Sequence, residues 1–140
     1  MTEKRIVYVS AGVLLRHDGR ILVARRPEGK SMAGLWELPG GKIEAGETPE
    51  DALTRELQEE LAVTLDVKNL VPLTFASHGY EGFHLVMPVF LSTDWQGEPE
   101  AQEGQTLDWV LPSDLLTLPA PEADIPLYRF LADRFGGGSA

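Results

Sequence analysis

The sequence predicts a single α/β domain in which a mixed β-sheet lies between helices. Short β-branched and apolar segments recur along the chain, one long amphipathic helix interrupts them, and a second helix closes the chain. The length of 140 residues, 43% of them hydrophobic, suffices for one packed core but not for two domains of ordinary size. We therefore expect one domain over residues 1–135, followed by a flexible glycine-rich tail at 136–140.

Two strands joined by a tight turn are predicted near the start of the chain. Residues 6–15 are mostly β-branched or apolar, the sequence His-Asp-Gly at 17–19 is typical of a turn, and a second apolar segment covers 20–25. These two segments are expected to form an antiparallel pair. A short strand at 35–38 then ends in Pro39-Gly40-Gly41, where the glycines allow the backbone to approach a neighbour closely.

Residues 48–61 carry the strongest helix pattern in the chain. Thr48 is a typical N-cap, and Pro49 suits the first helical position. Apolar residues then recur every four positions, which predicts one buried face. The residues on that face are Leu53, Leu57 and Leu61.

The remaining elements follow this helix. We expect a hairpin turn at 79–82, a short helix that begins at Pro112, and a terminal helix at 125–135. Further strands are predicted at 65–67, 70–77, 83–92 and 107–110.

Composition and charge exclude several classes of protein. A formal net charge of −10 argues against binding to a nucleic-acid polymer, because such binding needs clustered Lys and Arg. The absence of cysteine excludes disulfides, thiolate zinc sites and cysteine nucleophiles, and the three histidines lack the spacing of zinc ligands. No apolar run has the length of a signal peptide or a membrane span, so we expect a cytoplasmic protein with no membrane partner.

Three carboxylates on the long helix are candidates for a metal site. Glu56, Glu59 and Glu60 lie within an arc of about 100° on an ideal helix. Like charges at these spacings repel each other, so the helix gains no stability from them. Mg²⁺ or Mn²⁺, which prefer oxygen ligands, would turn this repulsion into attraction. The alternative is a solvated acidic face, which is common in an acidic protein.

The residues upstream favour the metal site over the solvated face. Gly40 and Gly41 can present backbone groups to a ligand. Glu47 and Arg55 can form an ion pair that holds the preceding loop on the helix. A helix that only faces solvent needs neither feature.

This arrangement resembles the Nudix box, in the form Gly41-x5-Glu47-x7-Arg55-Glu56-Leu57-x-Glu59-Glu60-x-Ala62-Val63. The one departure is Ala62, where the family pattern has a glycine that commonly serves as a left-handed C-cap. Alanine there is expected to shift the helix exit or to cost up to ~1 kcal/mol. The similarity extends over most of the chain and is greatest to the MutT branch, which hydrolyses oxidised guanine nucleoside triphosphates. It is carried by 24–27, 35–42, 95–99 and 103–105.

The resemblance implies an α/β/α sandwich and an Mg²⁺-dependent pyrophosphohydrolase, with Mn²⁺ as a possible substitute. Such an enzyme cleaves nucleoside triphosphates to a monophosphate and pyrophosphate and removes damaged nucleotides from the cellular pool. Glu103 would be an additional metal ligand or the general base, unless it is only a solvated loop residue. The general base stays open between Glu59, Glu60 and Glu103. The implied metal ligands are Gly40, Glu56, Glu59, Glu60 and Glu103; the catalytic residues are Glu59, Glu60, Glu103 and Arg55; the structural supports are Gly41 and Glu47.

The resemblance also implies the substrate contacts. Arg25 or Arg26 would bind phosphate, with an edge-strand charge as the alternative. Asp124 takes the place of a base-reading asparagine; ionised, it accepts hydrogen bonds only, so it suits the N1–H and 2-amino group of guanine or the amino group of cytosine. Its alternative role is to cap the terminal helix. Phe83 is a candidate stacking wall, together with Phe75, Tyr80 and Trp95, unless these aromatics belong to the core.

Two other functions are compatible with the sequence. The first is an enzyme that acts instead on CTP, on methylated pyrimidine nucleotides, on ADP-ribose or on another nucleoside diphosphate derivative. A nucleotide sensor without activity is the remaining alternative, although sensors usually lose the glutamates that are present here. No coiled-coil pattern is evident, so we expect a monomer or a weak homodimer.

Overall fold

A computed structural model describes residues 4–136, so that the predicted flexible tail lies, apart from Gly136, outside the described residues. The strands and helices in this part of the chain alternate much as the sequence predicts. In chain order they are β1 (Arg5–Leu14), β2 (Ile21–Arg25), β3 (Trp36–Glu37), β4 (Gly40–Lys42), α1 (Pro49–Leu61), β5 (Thr64–Leu65), β6 (Val71–Gly79), β7 (Phe83–Ser92), β8 (Trp95–Gln96), β9 (Thr106–Val110) and α2 (Asp124–Phe135). Short 3₁₀ helices lie at Val67–Asn69 and Pro112–Thr117.

The main sheet has the strand order β4-β1-β7-β6 and is mixed. Strand β1 runs parallel to β7 and antiparallel to β4, while β6 and β7 form an antiparallel hairpin. Alternate residues of β1 face opposite layers. Ser10 donates its hydroxyl to the Pro49 carbonyl of α1 (2.8 Å), whereas Val13 packs in the core that contains Leu127 of α2. The predicted α/β/α sandwich is confirmed.

The predicted antiparallel pairing of the first two segments is wrong. They share only the bridge between Leu15 and Ile21 and the turn hydrogen bond from Arg16 N to Arg20 O (2.9 Å). The available edge of β1 is instead occupied by the Pro39–Lys42 segment, and Gly12 N donates to Pro39 O (2.9 Å). Strand β2 is therefore the centre of a second sheet, in the order β3-β2-β9, where both of its edges are paired.

Helix α1 forms as the sequence predicts. The Thr48 hydroxyl accepts a hydrogen bond from Asp51 N (3.0 Å), Pro49 lies in the first turn, and the predicted leucine face is buried. The expected shift of the helix exit does not occur. Ala62 adopts the left-handed conformation itself (φ 57°, ψ 35°), and its N–H donates to Gln58 O (3.1 Å). The alanine thus keeps the geometry that glycine adopts at lower cost.

Three further differences concern short elements. The strand predicted at 65–67 ends at Leu65, because the Asp66 carboxylate accepts from Lys68 N (3.0 Å) and starts a 3₁₀ helix. The sequence did not predict β4 or β8.

The hairpin turn at 79–82 is confirmed by a hydrogen bond from Tyr80 N to Phe83 O (2.9 Å). Within residues 4–136, no helix has the length and apolar character needed to cross a membrane.

Candidate functional site

The two glycines before α1 leave no space for a side chain. A Cβ atom on Gly40 would overlap the backbone oxygen of Ser10 in β1. A Cβ atom on Gly41 would overlap the carboxylate of Glu56. The absence of side chains at these positions allows β4 to lie against β1 and allows the Glu56 carboxylate to lie against the loop.

The predicted ion pair between Glu47 and Arg55 is present and bidentate. Arg55 Nε lies 2.7 Å from Glu47 Oε2, and Arg55 Nη2 lies 2.9 Å from Glu47 Oε1. The hydrogen bond from Arg55, reinforced by one from the Glu44 backbone, lowers the pKa of Glu47 to about 2. Arg55 Nη2 also donates to Lys42 O (3.1 Å). This one guanidinium therefore holds the loop after β4 against the middle of α1.

Arg55 also contacts two of the candidate metal ligands. Its Nη1 lies 2.9 Å from Glu56 Oε2 and 3.5 Å from Glu59 Oε2. The Glu56 side chain is largely buried, whereas the Glu59 side chain is 56% exposed. Burial has the largest influence on the pKa of Glu56 and raises it, whereas the hydrogen bond and charge of Arg55 lower it.

Glu60 has the least favourable surroundings of the candidate ligands. Its Oε2 atom is buried and has no hydrogen-bond partner among the described residues. Burial raises the pKa of Glu60 to about 8, the charges of Glu56, Glu103 and Glu37 add to the rise, and the backbone of Gly40 opposes it. A buried carboxylate oxygen without a partner is costly in an apoprotein, and a divalent cation is the group that would satisfy it.

The structure brings Glu103 close to this carboxylate. Glu103 lies on the loop between β8 and β9, and its charge contributes to the raised pKa values of both Glu56 and Glu60. The loop is bound to the last turn of α1, because Gln102 N donates to Glu60 O (3.0 Å). The side chain of Gln105 donates to the same oxygen (3.2 Å).

The candidate ligands do not converge on one point as they stand. Between residues 4 and 136, no group of three histidine or carboxylate side chains is close enough together to hold a metal ion. Arg55 engages Glu56 and Glu59, whereas Glu60 lines the same cleft as Gly40 and Glu103. The residue types and the unsatisfied oxygen fit a divalent cation, but at least one side chain would have to rotate to complete its coordination.

A cleft of about 150 Å³ opens beside Glu60. It has three cationic side chains, Arg25, Arg26 and Lys30, and three acidic ones, Glu37, Glu60 and Glu103. The remaining residues that line it are Ala24, Pro27, Leu38, Pro39, Gly40, Leu61 and Gln105. Positive charge near a carboxylate site is the combination that a metal-bound polyphosphate requires.

The two arginines are held in different ways. The Arg25 guanidinium lies 5.4 Å from the ring centroid of Trp36, and Arg26 Nε donates to Glu37 Oε1 (2.9 Å). The alternative of an edge-strand charge is wrong for Arg25, because β2 is the central strand of its sheet. Both guanidinium groups stay partly accessible beside the cleft, where an anion can reach them.

Asp124 lies at the first position of α2 and is 5% exposed. Its alternative role as a helix cap is wrong, since Ala123 is the N-cap residue and no side chain caps this helix. Burial raises the pKa of Asp124 to about 7, Glu37 adds to the rise, and Arg26 opposes it. The carboxyl group thus lies within the electrostatic reach of the cleft residues.

None of the four candidate aromatic residues lines the cleft beside Glu60. Phe83 does not line the cleft beside Glu60; it stacks on Tyr80 with ring centroids 5.1 Å apart. The Tyr80 hydroxyl accepts a hydrogen bond from Ala123 N (3.0 Å), so this pair lies next to the start of α2. Trp95 stacks on Trp109 (5.9 Å) and packs against the core beneath α1, as expected for a core residue. Phe75 is 65% exposed.

Sequence reasoning missed three residues of the site. Glu37 pairs with Arg26 and influences both Glu60 and Asp124. Lys30 lines the cleft from the loop between β2 and β3, and Gln105 fixes the Glu103 loop to α1. Glu37 and Gln105 both lie in segments that support the family resemblance, which was the only indication available in the sequence.

Comparisons with known proteins show the family to which the chain belongs. A family model described as NUDIX domain matches residues 10–129. The CTP pyrophosphohydrolase of Escherichia coli K12 is 40% identical over 133 residues, which cover 93% of this chain and 95% of that protein. The 8-oxo-dGTP diphosphatase of Proteus vulgaris is 38% identical over 104 residues, which cover 74% and 91%. A solved structure from work on MutT of Aliivibrio salmonicida and Vibrio cholerae has a TM-score of 0.80 and 32% identity, covering 94% of this chain and 100% of that one. The chain therefore belongs to the Nudix family, and within it to the MutT-type hydrolases.

Proposed function

We propose that this protein hydrolyses nucleoside triphosphates to the monophosphate and pyrophosphate in an Mg²⁺-dependent reaction. The observation that carries the proposal is the buried, unpartnered carboxylate oxygen of Glu60, which adjoins a cleft lined by Arg25, Arg26 and Lys30. Removal of damaged nucleotides from the cellular pool is the role that we infer. The first candidate substrate is 8-oxo-dGTP, in keeping with the relative from Proteus vulgaris.

Nudix hydrolases generally need a divalent metal ion. We assign it to the Gly40 carbonyl oxygen and to the carboxylates of Glu56, Glu59, Glu60 and Glu103. Bound there, Mg²⁺, or Mn²⁺ in its place, would neutralise phosphate charge and acidify the attacking water. The preference of hard cations for oxygen ligands supports this assignment.

The side chains of the cleft have separate tasks in this reaction. Arg25 and Arg26 bind the phosphate oxygens, and Arg55 holds Glu56 and Glu59 in position. A glutamate, which we infer to be Glu59, Glu60 or Glu103, accepts the proton of the water. The water oxygen bonds to the β-phosphorus as the bond from that phosphorus to the bridging oxygen breaks. The monophosphate leaves with the bridging oxygen, and pyrophosphate carries the oxygen of the water.

A second candidate substrate is CTP or a methylated pyrimidine nucleotide. It is favoured by Asp124, whose carboxylate, once ionised above its pKa of about 7, accepts but does not donate and can therefore bind the amino group of cytosine. The relative named a CTP pyrophosphohydrolase matches 93% of this chain. In either case we infer that Asp124 reads the base. The Phe83–Tyr80 pair lies beside the start of α2, outside the cleft lined by Arg25 and Glu60.

The decisive experiment compares kcat/KM with Mg²⁺ for 8-oxo-dGTP, dGTP, CTP, 5-methyl-dCTP and ADP-ribose. A preference of about a hundredfold for 8-oxo-dGTP over dGTP would support the sanitising role. A preference for a cytosine nucleotide would support the second candidate. Preference for ADP-ribose would exclude both substrate assignments, and the absence of turnover on every nucleotide would contradict the proposed activity and favour a sensor.

A matched pair of substitutions tests the site itself. Glu60→Gln is expected to lower kcat by at least about a hundredfold with the fold retained, because the amide neither binds the cation as a carboxylate does nor accepts the proton. Glu50→Gln, on the first turn of the same helix, is the control and should stay within about twofold of the wild type. Equal activity of the two variants would contradict the assignment of Glu60.

A further inference from the structure

The side chain of Gln105 connects the loop that carries Glu103 to the helix that carries the other glutamates. Its Nε2 donates to Glu60 O (3.2 Å), and its Oε1 accepts from Glu103 N (2.8 Å). Both ends of one amide are therefore used, one on the helix and one on the loop. Only an amide oriented in this way offers a donor to the carbonyl group and an acceptor to the N–H group.

This connection completes the binding of the loop to the C-terminal end of α1. The carbonyl groups in the last turn of a helix lack partners within the helix. Here Leu61 O accepts from Glu100 N (2.9 Å), and Glu60 O accepts from Gln102 N (3.0 Å) as well as from Gln105. The backbone contacts fix the start of the loop, and among residues 4–136 the Gln105 side chain is the one group that accepts a hydrogen bond from the Glu103 amide.

We infer that Gln105 is a positioning residue that acts through Glu103, an inference that rests on the proposed function. Glu103 is exposed and lies on a loop, yet its charge contributes to the raised pKa values of the partly buried Glu56 and Glu60. The loop backbone sets the position of Glu103 relative to Glu60. The Gln105 side chain supports that backbone through its hydrogen bond with the Glu103 amide. Misplacement of a reacting group by about 1 Å costs on the order of a hundredfold in rate, so the loss of this support should appear in kcat.

Two substitutions of Gln105 and one control separate the two hydrogen bonds of its side chain. Gln105→Met keeps the length of the side chain and removes both bonds. Gln105→Glu keeps an acceptor for Glu103 N but places a carboxylate against the carbonyl oxygen of Glu60. Gln102→Ala is the matched control: it removes a side-chain bond within the loop, to Glu100 O (3.2 Å), and leaves the backbone contact to α1 intact.

The kinetic test is a double-mutant cycle of Gln105→Met with Glu103→Gln. Gln105→Met is expected to lower kcat by about ten- to a hundredfold with KM within about twofold, while Gln102→Ala stays near the wild type. In the Glu103→Gln background, Gln105→Met should have no further effect, because the group that it positions is already inactive. Effects that multiply in the double variant, or equal rates for Gln105→Met and Gln102→Ala, would overturn the inference.

A second readout does not depend on turnover. The backbone order parameter of the Glu103 amide, measured by NMR relaxation, is expected to fall from about 0.85 to below about 0.6 in Gln105→Met and to be unchanged in Gln102→Ala. An unchanged value in Gln105→Met would overturn the anchoring role even if the rate falls. If the wild type hydrolyses none of the nucleotides, the proposed function fails, and the order parameter alone decides whether Gln105 anchors Glu103.

Discussion

Replacing Asp124 with asparagine keeps the shape of the side chain and removes its ionisation. Asp124 is buried at the start of α2, with Glu37, Arg26 and the hydroxyls of Tyr80 and Tyr128 as its charged and titratable surroundings. An aspartate in this environment is costly to ionise, and asparagine carries no such cost. The substitution should therefore stabilise the protein at pH values above about 3.8, where Asp124 is ionised in the unfolded wild-type chain.

The size of the effect follows from the pKa of Asp124. Because its pKa is raised from 3.8 to about 7, the folded protein keeps a proton that the unfolded chain has lost between these values. Stability therefore falls as pH rises through this window and levels off above it. One pKa unit corresponds to about 1.36 kcal/mol, so the full cost is on the order of 4 kcal/mol. Between about pH 5 and about pH 8, the wild type should lose about 2–3 kcal/mol that Asp124→Asn does not lose.

Urea unfolding, followed by tryptophan fluorescence at both pH values, measures this difference. The quantity of interest is the stability of Asp124→Asn minus that of the wild type, because other titrating groups contribute equally to both proteins. The exposed Asp133 on the same helix provides the control, and Asp133→Asn should stay within about 0.5 kcal/mol of the wild type. A difference between Asp124→Asn and the wild type that does not change with pH would refute the reasoning.

Three other predictions follow from the structure. Ala62→Gly should stabilise the protein by about 1 kcal/mol, seen as a rise of about 3 °C in Tm, because glycine adopts the positive φ of this C-cap without strain; an unchanged or lower Tm would contradict this. Arg55→Lys should lower kcat at least about tenfold, since an ammonium group cannot bind Glu47 in a bidentate manner while also contacting Glu56; wild-type kinetics would contradict the supporting role of Arg55. Chelation of divalent ions should abolish nucleotide hydrolysis, and added Mg²⁺ should restore it and raise Tm; full activity in excess chelator would exclude the proposed metal chemistry.

The parts of the fold that depend on residues close together in the sequence could be predicted from the sequence. Helix α1 is an example, because Thr48, Pro49 and the leucines that follow encode its start and its buried face within a few turns. The pairing of β1 could not be predicted in the same way. A turn between two apolar segments favours a hairpin, but β1 pairs with β7, about eighty residues later, and with the glycine-rich β4, which has little β-propensity of its own.

The candidate site shows the same division. The fixed spacing of the Nudix box located Glu56, Glu59, Glu60 and the Glu47–Arg55 ion pair, because all of them lie on α1 or directly before it. The resemblance indicated Glu103 and Asp124, but their surroundings depend on how distant loops pack. For that reason, neither the connection through Gln105 nor the influence of Glu37 on Asp124 could be derived from the sequence.

Strand β1 contributes no side chain to the proposed chemistry, yet it fixes the distance between the two helices that do. On one side, Gly12 lies against Leu53 of α1, where an added Cβ would be 3.2 Å from a leucine methyl group. On the other side, Ala11 and Val13 pack in the core with Leu127 of α2. New substrate preferences in such a protein should therefore arise in the loop that carries Lys30, which can vary in length and sequence while the distance between the helices is preserved.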